Sequence, residues 1–280
     1  MNNAEIKTLR VPGATLSYEV RGKGPILLLI PGGGNDAHAF DGIVKHLVDQ
    51  YTVVTYNRRG LSQSTLDDPE EEQRVETHSD DTHRLLREVG SEYEPAFVFG
   101  SSGGAIVGLD LVARHPEQVH TLIAHEPPTH LSPEADPIQE MTAIREVYRR
   151  EGIAAAIQKL MAQPGLNPDG REMDIEQPEW TAEWREQSMK NVVFLFEHEV
   201  AMYDRYQLDV AALKNASIQA RIVIASGHNK EGAEYWSAVA VAKQLGTTIV
   251  EFPGRHVGYV TNPRTFTQRL RAVLGEKPVR

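Results

Sequence analysis

Cysteine is absent from this chain of 280 residues. That excludes disulfides, thiolate metal sites and a cysteine nucleophile, and it leaves the redox compartment open. Long apolar runs are missing as well: none approaches the roughly 20 residues that a membrane-spanning helix needs. The start, Met-Asn-Asn-Ala-Glu-Ile-Lys, lacks the basic-then-apolar pattern of a secretion signal, so a cytoplasmic, soluble protein is expected. Positive charge is scarce, with 29 Lys and Arg against 39 Asp and Glu and a formal net charge of −10. An acidic surface of this kind speaks against nucleic acid and anionic membrane as partners. Internal repeats and low-complexity tracts are not found. What remains, 40% hydrophobic and 24% charged, is the composition of an ordinary globular protein, long enough for one large α/β domain with an insertion. Nothing in it speaks to oligomeric state.

Short apolar runs organise both ends of the chain. Residues 6–11 and 14–20, joined by Pro12-Gly13, read as a hairpin. Ile26-Leu27-Leu28-Leu29-Ile30 is apolar without interruption, as suits a strand buried on both faces. A glycine cluster, a helix over 39–49, a strand over 51–56 and a helix over 77–89 follow. A strand before residue 100, a helix to 114 and a strand over 121–124 come next. Alternation resumes with strands over 220–225 and 247–252 and helices over 231–245 and 263–274. This is the signature of a doubly wound, mostly parallel α/β sheet. Between them, 129–218 holds no convincing strand and reads as helices over 137–150, 153–162, 181–190 and 192–205. The expected organisation is a core of residues 1–128 and 219–280 with a helical block, 129–218, inserted over the strand ends. Trp180, Trp184, Phe194, Phe196, Met202 and Tyr203 of that block are candidates for a pocket lining. Of these, Trp180, Trp184, Phe194 and Tyr203 are taken as substrate-binding residues.

The most informative segment is Gly100-Ser101-Ser102-Gly103-Gly104. It lies between an apolar strand and a helix, the layout of a nucleophile elbow, in which a strained serine is pushed up and out of a tight turn. Bulky groups two positions either side would collide, so Gly100 and Gly104 make room. Ser102 then sits at the first turn of a helix, where free N–H groups favour developing negative charge.

A serine hydroxyl needs a base, and the base needs a carboxylate. Among eleven histidines, His256 is the best candidate base, because it follows the last strand through Pro253-Gly254-Arg255 and precedes the last helix. His125 and His228 also stand at strand ends. For the acid, Glu126 follows the strand over 121–124 and precedes Pro127-Pro128. Glu231 and Asn229, after the strand over 220–225, are alternatives. Gly103 is one expected oxyanion donor, and Gly33, in Pro31-Gly32-Gly33-Gly34-Asn35 after a buried strand, is the other. The acidic run Asp67-Asp68-Pro69-Glu70-Glu71-Glu72 reads as a solvated loop, and Arg58-Arg59-Gly60 as a structural turn rather than an anion site. No metal site and no cofactor are expected.

Together, Gly32-Gly33-Gly34, Asn57-Arg58-Arg59-Gly60-Leu61-Ser62-Gln63-Ser64, Gly100 to Gly104 and Gly254-Arg255-His256 resemble the α/β-hydrolase family over about residues 14–128 and 219–275. The resemblance implies an eight-stranded, mostly parallel sheet with helices on both faces and a cap inserted after the sixth strand. Pro31 stands where a histidine is frequent, Asn57 where an aspartate is, and Lys230 occupies the usual acid position. Ser101-Ser102-Gly103 with His125-Glu126-Pro127-Pro128-Thr129 is similar to the fungal zearalenone lactone hydrolases, which supports Glu126 as the acid. The expected activity is serine hydrolysis of an ester or lactone of a small, fairly apolar molecule. The same triad also suits carbon–carbon bond hydrolysis or perhydrolysis, and a ligand-binding protein of this fold is an alternative of another class.

Overall fold

The computed structural model describes residues 5–90, 94–163, 181–228 and 230–275. Its strands are β1 (Lys7–Val11), β2 (Ala14–Gly22), β3 (Ile26–Ile30), β4 (Thr52–Tyr56), β5 (Thr65–Leu66), β6 (Ala96–Ser101), β7 (Val119–His125), β8 (Arg221–Gly227) and β9 (Val250–Phe252). Eight of them follow one another across the sheet as β1-β2-β4-β3-β6-β7-β8-β9, with the short β5 paired to β2. The pairings of β2 with β1, β4 and β5 are antiparallel. From β4 to β9 every pairing is parallel.

Alternate residues of the central strands enter different cores, which is why these strands read as unbroken apolar runs. Leu28 and Ile30 of β3 join Val54, Val98, Leu122 and Ile224 on one face. Leu27 and Leu29 join Val53, Phe99, Ile123 and Val223 on the other. The first face is covered by α2 (Val75–Val89) and α3 (Gly103–Arg114), the second by the short α1 (Asp41–Val44) and later by the C-terminal helix.

Between β7 and β8 come α4 (Pro137–Glu151), α5 (Ile153–Met161), α6 (Ala182–Phe194), a π-helical turn (Leu195–Glu199), α7 (Val200–Arg205) and α8 (Val210–Ala216). Asp136 caps α4 by accepting the amides of Ile138 and Gln139 at 3.0 and 3.1 Å, and Pro137 occupies the first turn, where its missing N–H costs nothing. After β8 come α9 (Ala233–Leu245), α10 (Gly258–Thr261) and α11 (Pro263–Leu274).

Three expectations change. The helix over 39–49 is only a 3-10 turn (Ala37–Phe40) followed by α1. Gly42 weakens a helix there, and it packs so closely on Pro263 of α11 that a Cβ would lie 3.0 Å from the proline ring. The helix over 192–205 is broken by the π-helical turn, and α8 has no counterpart in the sequence reading. The last strand begins at Val250 rather than 247. No helix among the described residues is long and apolar enough to cross a membrane.

The inserted helices lie over the loops at the carboxyl ends of the strands. Phe194 rests on Gly60, Leu195 on Gly33 and Gly34, and Tyr203 on Gly103. Asn191 donates to Asp36 at 3.1 Å and to Ser62 at 3.0 Å. In open α/β sheets this end of the strands is where ligands bind.

Candidate active site

Ser102 has φ 53 and ψ −122 and immediately precedes α3. A left-handed φ at a residue with a Cβ is strained, on the order of 1–3 kcal/mol. The surroundings enforce it. The Ser102 amide donates to the His125 carbonyl at 2.8 Å, tying the turn to the end of β7. A Cβ on Gly100 would lie 2.4 Å from the Gly104 carbonyl oxygen, and one on Gly104 would lie 2.3 Å from that of Ile30. Only glycine fits at either place. Ser102 borders a cavity of about 460 Å³, and His256, Gly33 and Gly103 border the same cavity.

Glu126 comes directly after β7 and has φ 50. Its amide continues the ladder to β8 through the Ala225 carbonyl at 2.9 Å. That bond turns the side chain toward the loop after β9. There Oε2 meets His256 Nδ1 at 2.5 Å, and Oε1 accepts the Gly227 amide at 2.8 Å. Both oxygens of a buried carboxylate are therefore satisfied, as burial requires. Burial pushes the Glu126 carboxyl up, but the His256 hydrogen bond, the His125 and His256 rings and the Gly227 amide outweigh it, and the net shift is downward. Burial pushes His256 down, but the Glu126 bond and charge, with a further contribution from Glu234, raise it above the ordinary imidazole range. With Nδ1 turned to Glu126, Nε2 is the nitrogen left to face the cavity.

Glu231 is exposed, ahead of α9, while Asn229 lies outside the described residues. His228 donates its backbone amide to Gly254 at 2.9 Å. His125 is buried among Phe99, Phe252 and Phe266, and neither ring nitrogen finds a hydrogen-bond partner among the described residues.

The loop after β3 is braced by an arginine from the turn that follows β4. Arg58 is fully buried. Its Nε donates to the Pro31 carbonyl at 3.1 Å and its Nη2 to the Gly32 carbonyl at 2.9 Å. In a trans peptide the C=O and the following N–H point in opposite directions. Anchoring the Gly32 carbonyl on Arg58 thus turns the Gly33 N–H away from Arg58. Arg58 Nη1 also pairs with Glu199, whose Oε2 accepts the Gly34 amide at 2.9 Å. Glu199 ends the π-helical turn, so the inserted helices themselves hold this loop. Arg59 makes a two-pronged pair with Asp81 at 2.7 and 2.8 Å.

The cavity walls differ from the aromatic set expected. Tyr203 lines the cavity. Trp184 and Phe194, expected as substrate-binding residues, are not among the described residues that line it. Phe194 packs on Gly60 and His198 instead, and Trp184 stands in the first turn of α6, half-buried. Trp180 lies outside the described residues. Phe196 and Met202 are buried in the core away from the cavity, Phe196 against Tyr148. The walls are Ile138, Met141, Leu160, Val192, Leu195 and Val260, whose helical spacing in sequence is indistinguishable from core packing. Glu234 is the carboxylate among the described lining residues, and no Lys or Arg is among them. Burial, with Glu126 and Glu140 nearby, pushes the Glu234 carboxyl up despite the counteracting His256. Neither Glu199 nor Glu234 carried a sequence signal.

Residues 25–161 match the family model described as the α/β-hydrolase fold. A relative in Bacillus subtilis (strain 168), named only as an uncharacterized hydrolase, YraK, is 43% identical over 270 residues, covering 95% of each chain. The chain belongs to the α/β-hydrolase family. This α/β hydrolase also matches the zearalenone hydrolase of Bionectria ochroleuca, 29% identical over 126 residues, which is 44% of this chain and 48% of that one. Among solved structures, a hydrolase from Pseudomonas aeruginosa PA01 superimposes with a TM-score of 0.72 at 20% identity, covering 98% of this chain and 100% of the other. At that identity the likeness speaks for the fold alone.

Proposed function

We propose that this α/β hydrolase is a serine esterase or lactonase acting on a small, neutral and largely apolar substrate. The observation that carries the reading is the buried contact of 2.5 Å between His256 Nδ1 and Glu126, beside a strained Ser102 that faces the same cavity as His256. Ser102 Oγ attacks the carbonyl carbon as its proton passes to His256 Nε2. Glu126 holds the imidazole in the required tautomer and stabilises the cation that forms. The Gly33 and Gly103 amides receive the oxyanion. His256 then gives the proton to the leaving oxygen, and water, activated by His256, releases the acyl group from Ser102. In this reading residues 129–218 form a cap over a core of 1–128 and 219–280.

The lining supports a neutral substrate. A substrate carboxylate would be buried beside Glu234 with no Lys or Arg among the described lining residues to meet it, and an unpaired buried charge is costly. The Bionectria relative's name, a zearalenone hydrolase, supports hydrolysis of a small organic molecule.

The test is reaction with a fluorophosphonate, which should label Ser102 alone, followed by turnover of neutral p-nitrophenyl esters and simple lactones. Ser102→Ala should cost on the order of 10⁶ in kcat. A loss of only a few-fold would overturn the reading. Product analysis separates ester cleavage from carbon–carbon bond hydrolysis and perhydrolysis, which use the same three side chains. Tight binding without labelling would mean a ligand-binding protein.

A further inference from the structure

Tyr203 lines the cavity and carries a phenol hydroxyl that the mechanism above does not use. It comes from α7, four residues after Glu199, so one face of the same helical stretch presents both side chains to the sheet. A Cβ built on Gly103 would lie 2.0 Å from Tyr203 Oη and 2.4 Å from Cζ. A Cβ built on Gly33 would lie 3.5 Å from the other edge of the ring, Cε2. The ring therefore spans the two glycines whose amides are assigned to the oxyanion, with its hydroxyl against the residue after the nucleophile. Position 103 has a reason to be glycine here: any side chain would occupy the space of that hydroxyl.

Tyr203 is 8% exposed, and its hydroxyl oxygen is enclosed without a hydrogen-bond partner among the described residues. Leaving a buried hydroxyl unsatisfied costs about 1–3 kcal/mol. Arg58 is near enough to act on the phenol oxygen as a donor, but it gives the O–H no acceptor. Its nitrogens are directed at Pro31, Gly32 and Glu199, and a guanidinium only donates, so it cannot accept the phenol hydrogen. Burial holds the phenol well above its ordinary range, against the pull of Arg58, so the proton stays on oxygen. A neutral O–H with no acceptor among the described residues, on a ring that borders the cavity and lies against both candidate oxyanion glycines, fits an acceptor that arrives with the substrate.

We infer that the Tyr203 hydroxyl is a third donor to the substrate's carbonyl oxygen, supplied by the inserted helices to complete an oxyanion site begun by Gly33 and Gly103. The inference rests on the serine hydrolase reading. No covalent step is added: as Ser102 adds to the carbonyl, the oxygen that takes up negative charge shortens its hydrogen bond to Tyr203, and the proton remains on the phenol. The insertion is then part of the catalytic apparatus as well as the roof of the cavity. Ester chemistry requires it to be docked.

The experiment is Tyr203→Phe, which keeps the ring and removes only the donor. With p-nitrophenyl butyrate, kcat should fall about 10²-fold while KM changes less than about threefold, as for other single oxyanion donors. Affinity for a boronic acid that forms a tetrahedral adduct on Ser102 should weaken by a similar factor. Equal kcat in the variant and the parent overturns the inference, as does a rise in KM alone, which would make Tyr203 only a wall residue. Should Tyr203→Phe fold poorly, 3-fluorotyrosine at position 203 gives the second measurement, because kcat should change with the acidity of the donor, and an unchanged kcat overturns the inference. The serine hydrolase reading fails separately, if the parent protein resists fluorophosphonate or Ser102→Ala retains activity.

Discussion

Single residues carry the chemistry here through what their neighbours do to them. Glu126 and His256 each lose solvation on burial and recover it from the other, and the net result is an imidazole that holds its proton above the usual range. The base works only when neutral. Hence kcat/KM should rise with pH through a value above 6.5, the ordinary imidazole pKa, and be lost as pH falls through it. Glu126→Gln should move that limb to lower pH and cut kcat by about 10⁴-fold, since the amide can neither stabilise the cation nor enforce the tautomer. Glu231→Gln, on an exposed side chain, should leave the pH–rate profile within twofold of the parent. Measured profiles of the two variants decide the acid, and the reverse pattern would move it to Glu231. The sequence narrowed this choice and could not finish it. Glu126 and Glu231 both follow a strand, and which one meets His256 depends on the β7–β8 register that sets the Glu126 amide on Ala225.

Elements explain why a fully buried arginine, Arg58, is tolerated beneath the loop after β3. The π-helical turn breaks the phase between α6 and α7, and such turns tend to occur at functional sites. It brings Glu199 onto Arg58 and the Gly34 amide, joining the insertion to the loop after β3. Both side chains of that pair are 0% exposed. Removing one charge leaves the other buried alone, which costs about 3–5 kcal/mol. Glu199→Gln should therefore lower the unfolding free energy by roughly that amount in urea denaturation. A change below about 1 kcal/mol would mean that the pair contributes little beyond its desolvation cost. No sequence signal pointed to this strut, because a glutamate in a helical stretch and an arginine in a turn are usually solvated. The strut exists because two segments 141 positions apart are pressed together where water is excluded.

At the scale of the whole molecule, histidines kept neutral in the core set its tolerance of acid. Burial pushes His125 down to about 4, and the neighbouring His256 adds to this against the pull of Glu126. Burial, with Arg58 and Arg59 nearby, holds His78 well below its ordinary value of 6.5. A base depressed in the folded state binds its proton more readily in the unfolded chain. The stability it supports is complete above pH 6.5 and is lost as pH falls toward 4, on the order of 3 kcal/mol for His125 alone. Denaturant midpoints between pH 7.5 and 4.5 should fall accordingly, and His125→Phe should flatten the slope. An unchanged slope in that variant would remove His125 from the account.

The sequence by itself determined what is local or periodic. The unbroken run of β3 requires burial on both faces. The glycines around Ser102 permit one tight turn, and the strand–helix alternation around a strandless block permits few topologies. Only the tertiary structure decided what depends on which distant surfaces meet. It set Glu126 rather than Glu231 on His256, and Glu199 on Arg58. It lined the cavity with aliphatic side chains in place of Trp184 and Phe194, and it turned Tyr203 toward Gly103. Backbone geometry is dictated by neighbours in the chain, whereas the partner of a buried polar group is whatever the closed fold brings within 3 Å of it.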